Sequence, residues 1–206
     1  MLVGSNADLF TMTTGDLLDY TTSVMLTNKM SGFSFKVISV YGSPYEDGKQ
    51  AFLDELHKVL GSWQGPLILG GDFNMVRAIS DKSNGIVNFK WMDLFNEWID
   101  RWGLLELNPK NRKFTWTNNQ DNVIMAKIDR ILVSIAWDAA FPMARVKALE
   151  RLPSDHNPLL VDFGDNIFFG KKHFGFEKWW LEEASFGDIV QKVWNHPCDV
   201  KNSMDR

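Results

Sequence analysis

Strand-like and helix-like patterns alternate along the chain from its start to about residue 163. Residues 33–41 (FSFKVISVY) interleave apolar and polar side chains with a period of two, which predicts a half-buried strand that ends at Tyr41. Residues 47–63 then repeat apolar side chains at helical spacing, which predicts an amphipathic helix. Such alternation favours a mixed α/β layer architecture over a helical bundle or an all-β sandwich.

The same patterns continue to the second half of the chain. A second amphipathic helix is predicted from about Lys90 to Trp102. Short apolar runs predict further strands at residues 67–69, 104–107, 114–117, 127–133 and 159–163. Beyond Phe163, glycines and aromatic residues precede a predicted helix from about Lys178 to Trp194. We therefore expect one α/β domain over residues 1–163, with an aromatic-rich linker and helix over residues 164–206 outside it.

Composition narrows the class of protein. With 45% hydrophobic and 13% aromatic residues, the 206-residue chain is typical of a globular protein. Its net charge of -4 argues against a general electrostatic grip on polyanions, although an enzyme that holds a cation with carboxylates can be acidic overall. Cys198 is the single cysteine, which excludes an intrachain disulfide and a thiolate zinc cluster. Without a signal peptide or a long apolar run, we expect an intracellular protein, nuclear or cytoplasmic, with no membrane partner.

Three polar clusters lie at or beside predicted strand ends. They are Gly70–Asn74 (GGDFN), Lys127–Arg130 (KIDR) and Ser154–Pro158 (SDHNP). Taken singly, each cluster has a structural interpretation: a turn stabilised by Asp and Asn side chains, an ion pair on an edge strand, and a loop or helix cap.

Taken together, the clusters indicate chemistry. They bring three carboxylates, a carboxamide and an imidazole (Asp72, Asp129, Asp155, Asn74 and His156) to the strand ends, where α/β sheets collect their catalytic groups. Phosphodiester hydrolysis needs an oxygen-ligated hard cation, a group that orients water and a donor to the non-bridging oxygens. These residue types supply most of that set.

In their order along the chain, residues 40–44 (VYGSP), GGDFN, KIDR and residues 154–160 (SDHNPLL) resemble the later motifs of the endonuclease/exonuclease/phosphatase superfamily. Residues 114–119 (FTWTNN) and 174–181 (FGFEKWWL) resemble the endonuclease region of plant-type non-LTR (LINE) retrotransposon polyproteins. The superfamily resemblance covers residues 1 to about 163. It implies a DNase I-like two-sheet α/β sandwich, with DNA as the ancestral substrate.

The resemblance also implies catalytic roles for five side chains. Asp72 would orient or deprotonate the attacking water, and Asn74 would hold both Asp72 and a phosphate oxygen. His156 would donate a hydrogen bond to the phosphate, while Asp129 fixes its tautomer and favours its charged form. Tyr41 would place its phenol against the phosphate.

Metal and substrate contacts follow from the same resemblance. Asp72 and Asp155 would hold Mg²⁺, with Mn²⁺ as a substitute. Asn74 and Trp116 would contact the substrate. Arg130, next to Asp129, is interpreted as either structural or weakly substrate-facing.

The chain departs from the superfamily pattern at its beginning. The early Asn motif and the principal metal-binding Glu motif are missing, and no Glu occurs before Glu46. Because Mg²⁺ is usually held by one or two protein carboxylates, losing a principal ligand weakens its binding. We therefore expect an N-terminally truncated, retrotransposon-derived hydrolase domain that binds Mg²⁺ weakly and is inactive.

Two further expectations follow from the same departure. A sandwich that lacks its first strands exposes apolar sheet faces, so self-association through these surfaces is expected. The alternatives to an inactive endonuclease are an active phosphoesterase on another substrate, such as an inositol phosphate or a phospholipid, and a non-enzymatic nucleic-acid-binding remnant.

Overall fold

The computed structural model describes residues 1, 3–151, 153–164 and 186–194. The chain divides into two compact units, Met1–Phe168 and Phe169–Arg206. The described strands of the first unit are β1 (Phe10–Leu17), β2 (Thr21–Asn28), β3 (Ser34–Tyr41), β4 (Leu67–Asp72), β5 (Leu104–Leu107), β6 (Trp116–Thr117), β7 (Met125–Ala126), β8 (Asp129–Ser134), β9 (Arg145–Ala148) and β10 (Leu159–Asp162). Its described helices are α1 (Lys49–Gly61), α2 (Phe89–Arg101) and α3 (Ile135–Ala140).

Six of these strands form one sheet, in the order β1-β2-β3-β4-β8-β5. Strands β3 and β4 are parallel and are connected through α1, while the other neighbours in this sheet are antiparallel. Strands β9 and β10 form a second, two-stranded sheet, and β6 pairs with β7 in a short hairpin. The predicted mixed α/β architecture is confirmed.

Helices α1 and α2 cover one face of the six-stranded sheet. The buried side chains between them are those that the sequence patterns place on the apolar faces: Phe52, Leu56 and Leu60 from α1, Phe95, Trp98 and Ile99 from α2, and Ile38, Leu69 and Leu132 from the sheet. Burying each such side chain contributes roughly 1.5–3 kcal/mol. This layer fixes the ends of β3, β4 and β8 relative to one another.

Helix α3 and the β9–β10 sheet lie on the opposite face. A second aromatic-rich core lies here, because alternate strand residues point away from the helices. Its buried members are Phe35, Ile68, Ile131, Val133, Trp137, Phe141 and Val146. The two cores explain why the central strands are apolar on both faces.

The predicted helices and strands of the first unit lie within a few residues of the observed ones. The predicted helix at 47–63 is a 3₁₀ turn at Glu46–Gly48 followed by α1, and the predicted strand at 127–133 begins at Asp129. In the second unit, the described residues Phe186–Trp194 form a helix, α4. The rest of the predicted linker and helix, residues 165–185 and 195–206, lies outside the described residues. None of the described helices is long and apolar enough to cross a membrane.

Candidate active site

Three predicted site residues lie side by side at one end of the six-stranded sheet. Tyr41 is the register partner of Asp72 across the parallel pair β3–β4, and Asp72 is the register partner of Asp129 across β4–β8. Tyr41 is more than half exposed, whereas Asp72 is buried. The strand order therefore places residues that are far apart in sequence in one row.

Asp72 and Asn74 form one hydrogen-bonded couple. The backbone N–H of Asn74 donates to Asp72 Oδ1 at 2.8 Å, and the Asn74 side-chain amide donates to Asp72 Oδ2 at 2.8 Å. The same amide donates to the carbonyl of Gly42 at 3.0 Å, which ties the couple to the turn after β3. Asn74 adopts a φ of 50°, a left-handed conformation that Asn accepts more readily than most residues.

Burial raises the pKa of Asp72 to about 6, and the neighbouring negative charge of Asp129 acts in the same direction. The hydrogen bonds from Asn74 and the charge of His156 oppose this rise without cancelling it. A carboxyl group with a pKa near the operating pH is well suited to act as a general base. Asp72 is therefore mostly ionised at neutral pH and becomes protonated in mild acid.

Asp129 and His156 form the second couple. His156 Nδ1 lies 3.0 Å from Asp129 Oδ2 and 3.1 Å from Asp129 Oδ1, so a protonated Nδ1 donates to the carboxylate. Burial alone would lower the pKa of His156, but the hydrogen bond and charge of Asp129 outweigh it and raise the pKa. Nε2 has no hydrogen-bond partner among the described residues and is free to act as a donor.

Thr115 holds this second couple in place. It is fully buried, and its hydroxyl accepts hydrogen bonds from the backbone N–H groups of Ile128 at 3.2 Å and Asp129 at 3.1 Å. Its carbonyl accepts from the N–H of Asn157 at 2.7 Å, next to His156. The sequence gives one signal for this role of Thr115, its position inside the FTWTNN motif.

Lys49 is a second positioning residue that the sequence did not reveal. Its buried ammonium donates to the carbonyls of Ser43 at 3.0 Å and Asn74 at 2.8 Å. Burial lowers the pKa of Lys49. In the sequence, a lysine in the first turn of an amphipathic helix is typical of a solvated cation, so nothing marked it as part of the site.

Asp155 is hydrogen-bonded to Trp116. Its side chain is exposed, and its Oδ2 accepts a hydrogen bond from Trp116 Nε1 at 2.9 Å, which lowers the pKa of Asp155. The backbone of Thr117 also donates to the Asp155 carbonyl at 3.1 Å. The structure thus pairs Asp155 with Trp116, and the negative charges of Asp72 and Asp155 both help to raise the pKa of His156.

The described residues do not fit a complete magnesium site. Among them, no group of three or more His, Cys, Asp or Glu residues is arranged to hold a metal ion. Both oxygens of Asp72 accept hydrogen bonds from Asn74, and both oxygens of Asp129 face His156. The predicted pair of metal ligands, Asp72 and Asp155, stays a prediction.

Of the two interpretations of Arg130, the structure favours the structural one. Its guanidinium is 1% exposed and forms ion pairs with Asp81 and Glu106, each at 2.6 Å. Burial would raise the pKa of Glu106, but the cations around it, Arg130 first among them, hold it at about 2. Arg77 and Lys127 complete this ion-pair network beneath the site.

A cleft of about 450 Å³ opens above the two couples. Its polar side includes Tyr41, Asp72, Asn74 and His156, and Trp116 forms part of its wall. Much of the remaining lining is apolar and includes Ile86, Val87, Trp91 and Met92. Such a cleft offers a base, a hydrogen-bond donor and aromatic surfaces to one ligand.

No protein-family model matches the chain, and no curated protein matches it in sequence. Solved structures do match. About 76% of this chain aligns with 69% of the endonuclease domain of TRAS1, a telomere-specific non-LTR retrotransposon, at 15% identity and a TM-score of 0.63.

Two structures of NExo are also similar. The 3′-5′ exonuclease NExo from Neisseria meningitidis aligns over 74% of this chain and 70% of its own, at 26% identity and a TM-score of 0.52. A second NExo structure from Neisseria, a 3′ phosphatase bound to a product DNA hairpin, aligns over 74% and 70%, at 25% identity and a TM-score of 0.55. This chain therefore has the fold of the endonuclease/exonuclease/phosphatase superfamily, as the order of its motifs predicted.

Proposed function

We propose that this chain is a DNA phosphodiesterase domain of the kind found in non-LTR retrotransposon endonucleases, with negligible activity because its metal site is incomplete. The observation that carries the proposal is the pair of hydrogen-bonded couples, Asp72 with Asn74 and Asp129 with His156, at one cleft. These couples provide a base and a donor, which are two of the three requirements of phosphodiester hydrolysis.

Asp72 is the residue that accepts a proton from the attacking water. Its pKa of about 6 leaves the carboxylate ionised at neutral pH, yet basic enough to take a proton. Asn74 keeps both oxygens of this carboxylate fixed and thereby prevents rotation of Asp72 away from the cleft.

His156 is the donor to the phosphate. Nδ1 is paired with Asp129 and the pKa of His156 is raised, which favours the charged ring. In this form, a proton on Nε2 is available to a non-bridging oxygen. The phenol of Tyr41 offers a second hydrogen bond from the same row, and Trp116 offers a stacking surface.

The third requirement is a hard cation, and the described residues do not provide a complete site for one. A phosphodiester carries one negative charge, and the attack of water adds more in the transition state. Lys49, which lines the cleft, already donates to two backbone carbonyls, so it does not replace a metal ion. The described residues therefore leave this developing charge largely uncompensated, and we infer that hydrolysis is negligible.

DNA is proposed as the ancestral substrate for two reasons. The endonuclease motifs of the sequence resemble those of non-LTR retrotransposons, and the solved structures similar in fold include an endonuclease and an exonuclease. The retrotransposon origin has its own test: genomic DNA downstream of this coding sequence should encode a reverse transcriptase.

The experiment is nicking of supercoiled plasmid by the purified chain, in Mg²⁺ and separately in Mn²⁺. His156→Ala and Asp72→Ala, confirmed as folded by circular dichroism, serve as matched controls for contaminating nuclease. We expect the wild-type chain to nick no faster than either variant.

Metal-dependent nicking that both substitutions abolish would show that the site is active and would overturn the inactivity. A panel of phosphate esters tests the substrate class in the same way. Hydrolysis of an inositol phosphate or a phospholipid, abolished in His156→Ala, would replace the nuclease assignment with a phosphatase or phospholipase.

A further inference from the structure

Two segments of the first unit carry a dense set of exposed cations. They are the loop at residues 108–113, with Lys110, Arg112 and Lys113, and strand β9, with Arg145 and Lys147. These five residues are termed the basic surface. All five side chains are exposed, and none of them forms an ion pair with another described residue.

Asn111 fastens the two segments together. Its side-chain amide donates to the carbonyl of Ala148 at 2.8 Å, and its side-chain oxygen accepts from the N–H of Ala148 at 3.0 Å. Lys110, Arg145 and Lys147 accordingly line one cleft, while Lys110, Arg112 and Lys113 line a second. The basic surface is thus continuous rather than two separate groups.

Strand β9 presents its cations in a regular spacing. Arg145 and Lys147 are exposed, whereas the alternate residues Val146 and Ala148 are buried, so both cations point outward from one face. Residues two apart in a strand lie roughly 6.6 Å from each other along the chain direction. Such a row matches a ligand with evenly repeated negative charges.

Nearby acidic residues do not neutralise the basic surface. Glu106 and Asp81, which line the same clefts, are occupied by the ion pairs of Arg130, Arg77 and Lys127. Asp162 is the cross-strand neighbour of Arg145 and does not form an ion pair with it. The positive charge is therefore directed to solvent.

The charge of these two segments differs strongly from the charge of the rest of the chain. Residues 108–113 and 144–151 hold six basic side chains and one acidic side chain, which leaves 16 basic and 25 acidic residues elsewhere. A net charge of -4 over the whole chain thus conceals a local cationic region. The argument from net charge against an electrostatic grip on polyanions therefore does not apply at this surface.

Both segments lead directly into residues that line the cleft at the two hydrogen-bonded couples. The loop at 108–113 continues into Thr115 and Trp116, and β9 continues through Arg151 to Asp155 and His156. Strand β5, which precedes the loop, ends beside the start of β8, where Asp129 lies. The basic surface therefore lies at the same end of the sheet as the two couples.

We propose that the basic surface binds the sugar-phosphate backbone of duplex DNA, next to the cleft and independently of base sequence. Duplex DNA carries one negative charge per ~1.7 Å of its axis, so exposed cations in a row gain affinity by releasing its counterions. The proposal rests on the proposed function only for the choice of DNA as the polyanion. It requires no metal ion and no hydrolysis.

The test is binding of a fluorescein-labelled duplex to the whole chain in EDTA, followed by fluorescence anisotropy over a range of salt concentrations. One variant combines Lys110→Ala, Arg112→Ala and Lys113→Ala, and a second combines Arg145→Ala with Lys147→Ala. The matched control combines Arg101→Ala with Lys58→Ala, which removes the same two residue types from exposed positions on α2 and α1.

Both variants of the basic surface should bind DNA about tenfold more weakly, or weaker still, at low salt. The slope of log affinity against log salt should fall by about one for each phosphate that the variant no longer neutralises. The decrease in affinity should be the same for two duplexes of unrelated sequence. The control should bind like the wild type.

An equal decrease in the control, or no DNA binding by the wild-type chain at low salt, would overturn the proposal. Equally tight binding of polyglutamate would overturn it in favour of an acidic protein partner. Because no cleavage occurs in EDTA, these outcomes are independent of the plasmid-nicking result that tests the proposed function.

Discussion

The buried surroundings of Asp72 disfavour its ionised form. Burial raises its pKa from 3.8 to about 6, so the folded chain holds a proton in this range that the unfolded chain has released. The stability of the wild-type chain therefore falls as the pH rises from 3.8 to 6. A shift of roughly two pKa units corresponds to about 3 kcal/mol. The free energy of unfolding of the wild-type chain is therefore lowered by this full amount above about pH 7.

Substitution Asp72→Asn removes this penalty. The free energy of unfolding of the variant, relative to the wild type, should increase by about 3 kcal/mol between about pH 4 and about pH 7. The altered hydrogen bonds to Asn74 shift the difference by a constant and leave its dependence on pH unchanged. Urea denaturation at several pH values measures it.

The exposed carboxylate Asp155 provides the control for Asp72. Its pKa is lowered, so the relative stability of Asp155→Asn should not rise with pH. A pH-independent difference for Asp72→Asn would show that Asp72 is not held in the folded state with a raised pKa.

His156 gives a spectroscopic test of its pairing with Asp129. Since the hydrogen bond and charge of Asp129 outweigh burial, Asp129→Asn should lower the pKa of His156. NMR titration of the imidazole protons measures the change. Glu46→Gln is the matched control, because Glu46 lines the same cleft and contacts Asn88 and Trp91 instead of His156; an equal decrease in that variant would contradict the pairing.

At the scale of residues, the sequence predicts the polar side chains of the site but not the residues that hold them in position. Asp72, Asn74, Asp129 and His156 stand in ordered motifs, and their residue types are those that phosphate chemistry needs. Thr115 and Lys49 act through backbone groups that only the folded chain brings near them. Residue type and spacing carry no signal for such contacts.

At the scale of elements, the parallel pair β3–β4 depends on a glycine. Gly71 lies opposite Val40 with a φ of 146°, and a Cβ at this position would lie 2.0 Å from the Val40 carbonyl oxygen. Both the steric clash and the backbone strain act against any side chain here. The neighbouring Asp72 is thereby held at the end of β4.

Gly71→Ala should lower the free energy of unfolding by more than about 3 kcal/mol, since backbone strain and overpacking each cost roughly 1–3 kcal/mol. Gly70→Ala is the control on the same strand. Its added Cβ meets the end of the Ile131 side chain at 2.8 Å, which can rotate away, so the decrease should be smaller. Chemical denaturation compares the two variants, and equal decreases would mean that the backbone at Gly71 relaxes.

Element prediction was accurate where a strong period was present and weak where it was not. Helices α1 and α2 and strand β3 follow apolar periodicity, and β4 begins with a continuous apolar run; all four were placed within a few residues. Strand β1 is exposed along nearly its whole length, and it is a strand because it pairs with β2. Strand β9 has four residues, too few for a period-two pattern to be distinguished from a loop.

At the scale of the whole molecule, the two sheets leave an apolar cleft between them. It has a volume of about 710 Å³, and its lining includes Phe10, Phe35, Ile131, Leu159, Val161 and Phe163. An apolar cavity of this size accepts apolar molecules more readily than water. The sequence led us to expect self-association through exposed apolar sheet faces, and this cleft is the surface at which we expect it.

We expect a hydrophobic dye to bind in this cleft and its fluorescence to rise with protein concentration. Leu159→Ser and Leu160→Ser change neighbouring residues on opposite faces of β10, and only Leu159 lines the cleft. Dye fluorescence should fall several-fold in Leu159→Ser and stay near the wild-type level in Leu160→Ser, provided that circular dichroism shows both to be folded. Analytical ultracentrifugation of the same proteins should show self-association of the wild type that Leu159→Ser weakens. A wild-type chain that binds no dye and sediments as a monomer at all concentrations would mean that the sheets close over the cleft in solution.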